Sequence, residues 1–163
     1  MPLTQRLYST HSGVCHSDLG LVLNAWSKVH PTTPGQIGGH EGVGRIVAIG
    51  PHPSSSFSQF TSPQNLKIGD RVGIKWQWSI CGTCPPCLEG RDGLCFKGRG
   101  SGTYMPGTFQ QYVLGPANYV TPIPEGLDDV SAAPLMCAGL TVYAALKKAQ
   151  ARQGEWVVVL GAG

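Results

Sequence analysis

The chain reads as a mainly β domain with short helices, and three observations predict it. Val/Ile/Leu runs of strand length recur along the sequence and are bounded by turn residues. The 23 glycines and 13 prolines among 163 residues are interleaved with those runs, which favours a turn-rich β domain over disorder. Helical spacing persists over several turns only near the C-terminus, at 139–150. A chain of 163 residues is long enough for one domain with a real core.

Taken in order, residues 7–10 read as the end of a strand, and 12–18 as a turn leading into a short helix that displays Cys15 and His16. A lone Cys15 has a second reading as a small buried hydrophobe. Residues 26–36 are loop, with Pro31 and Pro34 flanking two threonines. At 38–50 a glycine-pinched turn feeds a β-rich run. His40 in that turn could ligate a metal or sit hydrogen-bonded in a core corner, with Glu41 beside it as charge or support. The Ser/Pro-rich segment 51–64 reads as a solvated surface loop. Residues 66–76 are a turn and a strand that delivers Trp76, as core or as pocket wall. Residues 97–106 are glycine-rich loop, and 107–114 resume a strand. The prolines of 119–124 place that segment at a sheet edge, since each removes a ladder donor.

Asp128 and Asp129 are N-cap candidates for a short helix over 130–134. In the helix at 139–150, Leu140, Val142, Tyr143, Ala144 and Leu146 fall mostly on one side, and Lys147 and Lys148 lie where the helix dipole favours cations. Cys137 stands at or near that helix start, a position that lowers a thiol pKa. Residues 155–160 read as a buried strand entering Gly161-Ala162-Gly163, a Gly-x-Gly turn that by itself is a weak dinucleotide-binding signal.

The sharpest motif is Cys81-x2-Cys84-x2-Cys87-x7-Cys95. Four thiolates at this spacing can surround one tetrahedral Zn2+ at about 2.3 Å each, and they leave it no open position for chemistry. Two disulfides or an iron-sulfur cluster are the alternatives. The formal charge of +3 is modest, and its basic residues are scattered without interleaved aromatics, which argues against a nucleic-acid partner. No uninterrupted apolar run approaches the roughly 20 residues that span a bilayer, and no leader pattern opens the chain. Cysteines spaced for metal suit a reducing, cytoplasmic compartment.

With the lobe set aside, Cys15, His40 and Cys137 remain as possible Cys2His ligands of an open catalytic site, which spacing alone cannot join. The motifs Gly13-Val14-Cys15-His16-Ser17-Asp18, Gly38-Gly39-His40-Glu41-Gly42, the four-cysteine lobe and Met136-Cys137-Ala138-Gly139-Leu140-Thr141-Val142-Tyr143 occur in one order. Together they resemble the zinc-dependent medium-chain alcohol dehydrogenases, fungal ethanol-type enzymes in particular, and the likeness runs from about Tyr8 to Gly163.

The resemblance implies a GroES-like β-barrel catalytic domain over 1–150 with a protruding zinc lobe, and over 151–163 the first strand and glycine turn of a dinucleotide-binding domain. It implies two Zn2+, a catalytic one on Cys15, His40 and Cys137 and a structural one on Cys81, Cys84, Cys87 and Cys95. It makes Asp18 the orienter of the ligating histidine, Glu41 the acidic neighbour of the metal, and Ser17 the acceptor of the alcohol proton. Trp76 becomes a wall of the substrate pocket, and His16, Thr141, Gly161 and Gly163 face NAD or NADP. The implied reaction oxidises an alcohol to an aldehyde or ketone by hydride transfer to NAD(P), with a small alcohol or aldehyde as substrate and homo-oligomers among full-length members.

Three departures bear on that. Gly20 stands where the ethanol-type proton relay has a histidine, the loop at 51–64 is longer, and only fourteen residues precede Cys15. A missing N-terminal hairpin, a truncated nucleotide-binding domain and an inactive isolated chain are therefore expected. A non-catalytic zinc module and a polyol, aryl or cinnamyl-type reaction are the rival readings.

Overall fold

The structure, a computed structural model, describes residues 4–28, 32–50, 66–117 and 119–160. The loop expected at 51–64 and the Gly-x-Gly of 161–163 lie outside the described residues. In chain order the elements are β1 (Thr4–Ser12), α1 (His16–Val22), β2 (Gly42–Ile49), β3 (Arg71–Ile74), β4 (Gln77–Ser79), α2 (Pro85–Leu88), β5 (Arg99–Gly100), β6 (Tyr112–Pro116), β7 (Thr121–Pro122), α3 (Asp129–Pro134) and α4 (Leu140–Ala149). A five-stranded antiparallel sheet runs β6-β1-β2-β3-β7, and β4 and β5 pair separately. The mainly β expectation holds, and β7 with Pro122 lies at the sheet edge, as its proline requires.

Burial alternates with period two along β1 and at the start of β6, whereas β3 is buried at three successive residues. Leu7 is buried between exposed Arg6 and Tyr8, and Val113 between exposed Tyr112 and Leu114. Leu7, Ile46, Val72, Ile74, Val113 and Val120 meet in one cluster. A second cluster of Val43, Ile123, Ala132, Ala133 and Met136 seats α3 and the residues after it. Burying Met136 contributes about 1.5–3 kcal/mol, and Gly73 makes room for it, since a Cβ there would fall 2.1 Å from the Met136 sulfur. Asp128 caps α3 by accepting from the Ser131 N–H at 2.9 Å, as its residue type predicts. Thr10 donates to Asp129 at 2.7 Å, and Arg71 Nε lies 3.3 Å from the other Asp129 oxygen, tying α3 to β1 and β3.

Several expectations change. The strand expected from 107 begins at Tyr112, because the N–H groups of Gly107, Thr108 and Phe109 bond instead to the carbonyls of Ile37, Gly39 and Gly38. The loop at 97–106 contains β5, paired to β4. Cys137 does not open a helix: a π-helical stretch, Leu135–Gly139, joins α3 to α4, so helical residues precede it. The apolar side of α4 is exposed at Leu140, Val142, Tyr143 and Leu146. Residues 155–160 are neither strand nor buried, because among the described residues no strand lies beside them to accept a ladder. The joined helix Asp129–Ala149 is long and apolar enough by composition to cross a bilayer. It packs Ala132, Ala133 and Met136 into the second cluster.

The glycine-rich turn before β2 depends on close backbone contact. Gly39 has φ +90°, and a Cβ on Gly107 would lie 2.2 Å from the Gly38 and Gly39 carbonyl oxygens. Gly107→Ala is expected to cost about 1–3 kcal/mol in chemical denaturation. Gly93→Ala, whose Cβ meets nothing, is expected to change stability by about 0.5 kcal/mol at most.

Candidate metal centres and cavity

Three distant segments converge because β1 and β2 pair with Ser12 opposite Gly42. That register sets the turn after β1 beside the turn before β2, and Gly13 N–H donates to the Glu41 carbonyl at 2.9 Å. Ser12 and the buried Thr108 share a hydroxyl hydrogen bond of 2.7 Å, which clamps the same corner to the segment ahead of β6.

Cys15 is the residue before α1, and Asp18, three residues on, turns its carboxylate back to accept from the Cys15 N–H at 2.9 Å. The other Asp18 oxygen lies 3.2 Å from His40 Nδ1, close enough for an ion pair but outside hydrogen-bond geometry. Asp18 is buried and His40 completely so. With Nδ1 facing the carboxylate, His40 Nε2 faces Ser17 Oγ at 3.4 Å. Ser17 also donates to Cys15 Sγ at 3.0 Å, and Cys15 Sγ stands 4.0 Å from Cys137 Sγ. Ligand atoms of Cys15, His40, Glu41 and Cys137 all lie within 4.8 Å of one another. Burial, with Cys15 and Glu41 beside it, pushes the Cys137 thiol up to about 12, the reverse of the depression expected for a helix start. Three acidic donors crowded at low solvation are a set that a divalent cation would neutralise.

Tetrahedral zinc with Zn–S of about 2.3 Å places two sulfurs about 3.8 Å apart, and the Cys15–Cys137 separation fits that. So does the lobe. Its sulfurs lie 3.9 Å apart for Cys81–Cys87, 3.4 Å for Cys84–Cys87, 3.9 Å for Cys84–Cys95 and 3.6 Å for Cys81–Cys95. All six cysteines are free, so the disulfide alternative fails. The N–H groups of Thr83 and Cys84 lower the Cys81 thiol to about 5, while burial and neighbouring thiols raise Cys87 to about 12.

Ser17, Trp26, His40, Trp76 and Cys137 line a cavity of about 310 Å³. Trp76 meets the His40 ring edge-on, centroids 5.2 Å apart at 89°. Trp26 is a lining residue that sequence reasoning missed; a large aromatic side chain a few residues after the helix that Cys15 precedes was the available signal. Gly20 seats it, since a Cβ there would be 3.3 Å from the Trp26 ring. Thr141 sits within hydrogen-bond reach of Cys137. His16 is exposed on the first turn of α1, outside the ligand set, and Gly161 and Gly163 lie outside the described residues.

Residues 7–125 match the family described as the alcohol dehydrogenase GroES-like domain. Alcohol dehydrogenase 2 of Emericella nidulans is 60% identical over 155 residues, covering 94% of this chain and 40% of that protein. Among solved structures, an NAD-dependent alcohol dehydrogenase superposes with a TM-score of 0.77 at 25% identity, covering 94% of this chain and 41% of that one. The Helicobacter pylori CAD complexed with NADP(H) gives 0.74 at 27% identity, with 93% and 42% covered. The chain thus spans about 40% of the length of the curated relatives it matches. It belongs to the alcohol dehydrogenases of the medium-chain family, of which it carries the GroES-like domain.

Proposed function

We propose that the chain is the zinc-holding, alcohol-binding part of a dehydrogenase that transfers hydride from a small primary or secondary alcohol to NAD or NADP. The observation that carries this is the convergence of Cys15, His40 and Cys137 at the base of a cavity. Cys15 Sγ, His40 Nε2 and Cys137 Sγ would hold one Zn2+ with Glu41 beside it, and Cys81, Cys84, Cys87 and Cys95 a second. Zinc in the first site supplies Lewis-acid polarisation of the substrate oxygen.

The chain's own residues do the rest. Asp18 favours the proton on His40 Nδ1, which leaves the Nε2 lone pair free for ligation. Ser17, on the cavity lining beside the ligands, accepts the alcohol's hydroxyl proton. With glycine at position 20, that proton leaves through water. Trp26 and Trp76 exclude bulk water, and a cavity at the small end of ligand pockets favours short alcohols. His16, Thr141, Gly161 and Gly163 contribute on the cofactor side, with 151–163 opening the nucleotide-binding unit. Thiols kept reduced as ligands suit the cytoplasm.

Metal analysis of the folded chain is expected to find two zinc ions, falling to one in Cys137→Ser and to one in Cys84→Ser; a parent chain holding one or none overturns the two-site reading. Joined to the nucleotide-binding half of the Emericella relative, the chain is expected to oxidise ethanol, and two bound zincs without turnover would point to the non-catalytic module. In that fusion Trp26→Ala raises kcat/KM for bulky alcohols relative to ethanol by roughly ten- to a hundredfold.

A further inference from the structure

We propose that Lys75, Tyr119 and Asp92 form a latch that fixes the four-cysteine lobe against the strand end carrying Trp76, so that these three are positioning residues for the lobe and for the cavity wall together. The inference rests on the proposed metal in the lobe, and goes beyond it to what holds the lobe in place.

The lobe leaves the sheet through β4, whose buried Trp78 donates through Nε1 to the Leu114 carbonyl of β6 at 3.2 Å, and returns through β5. β4 and β5 pair only through Gln77 with Gly100 and Ser79 with Arg99, in a two-stranded sheet separate from the main one. So short a ladder is marginal on its own. A second attachment crosses between segments far apart in sequence. Asp92 opens the 3-10 turn Asp92–Leu94, three residues before the ligand candidate Cys95. The Tyr119 hydroxyl, in the turn between β6 and β7, donates to Asp92 Oδ2. Lys75 Nζ stands 4.9 Å from the centre of the Tyr119 ring, a cation-π distance. All three side chains are half-buried, where such contacts are stronger than at an open surface.

Lys75 immediately precedes Trp76, and both are held by one buried residue. Ser101 donates through Oγ to the Lys75 carbonyl at 2.9 Å and through its N–H to the Trp76 carbonyl at 2.8 Å. The indole lies so close to Gly100 that a Cβ there would sit 3.3 Å from it. The path from the lobe therefore runs Asp92 to Tyr119 to Lys75, and ends at the tryptophan that meets His40 edge-on. None of the three latch residues belongs to either ligand set, so replacing them leaves both donor sets intact.

The test uses the full zinc-loaded chain with Tyr119→Phe, Asp92→Ala and the double variant. Two readouts are taken: the rate of zinc transfer to a chromogenic chelator, with the lobe's phase identified as the one lost in Cys84→Ser, and the emission of Trp76, read as the difference between each chain and its Trp76→Phe counterpart. Each single variant is expected to release lobe zinc about tenfold faster, the double no faster than the singles because they share one bond, and the Trp76 emission to shift in all three. Unchanged release with unchanged emission overturns the latch, as does a double variant whose effect is the product of the two. A parent chain that retains no lobe zinc overturns the metal reading instead, and the emission of Tyr119→Phe then decides the latch alone. Tyr119→Phe removes a single oxygen and decides the matter where Asp92→Ala does not fold.

Discussion

The corner of the molecule that everything else serves is the buried carboxylate of Asp18. One of its oxygens accepts from the Cys15 backbone and the other faces His40 Nδ1. A buried carboxylate is costly unless it is partnered, and here one oxygen accepts a hydrogen bond from the Cys15 N–H while the other lies 3.2 Å from His40 Nδ1, on a segment distant in sequence. The cost is thereby turned into placement. The turn that presents Cys15 and the turn that presents His40 cannot move independently without parting the buried carboxylate from one of its neighbours.

Strand pairing and small residues make that corner possible. Antiparallel pairing brings Ser12 opposite Gly42, and glycines at 13, 39, 42 and 107 let backbone and side chains approach to distances that any Cβ would forbid. At Gly13 the excluded Cβ would fall 2.0 Å from a Glu41 carboxylate oxygen, so the space above that glycine belongs to the acidic neighbour of the ligand cluster. The hydroxyls of Ser12 and the buried Thr108 close the arrangement from the segment ahead of β6.

The two cysteine-bearing clusters solve different physical problems. The lobe gathers four sulfurs from one short stretch, so its geometry is largely local. The cavity cluster gathers donors from three stretches, and depends on the second apolar cluster, which holds Met136 and so delivers Cys137. Burial, with Cys15 and Glu41 beside it, raises the Cys137 thiol, so this cluster concentrates acidic donors where water is scarce.

Much of this was legible in residue types and spacing. The lobe could be read from four cysteines within fifteen residues, because metal spacing there is a property of local chain. The cap at Asp128, the edge position of Pro122 and the short strands were legible too, since each follows from backbone chemistry of the residue itself. The exposed face of α4, the open chain at 155–160 and the late start of β6 were not, because each depends on what lies beside the segment. Trp26 escaped notice for the same reason: nothing in a loop's composition says which cavity it borders. By itself the sequence determined which side chains can bind metal and where the backbone must turn, as these are consequences of covalent chemistry and local sterics. Only the tertiary structure decided that Cys15, His40 and Cys137 share one site, that Asp18 spans two of them, and that Tyr119 reaches the lobe, because those are distances between segments and are set by strand register and core packing.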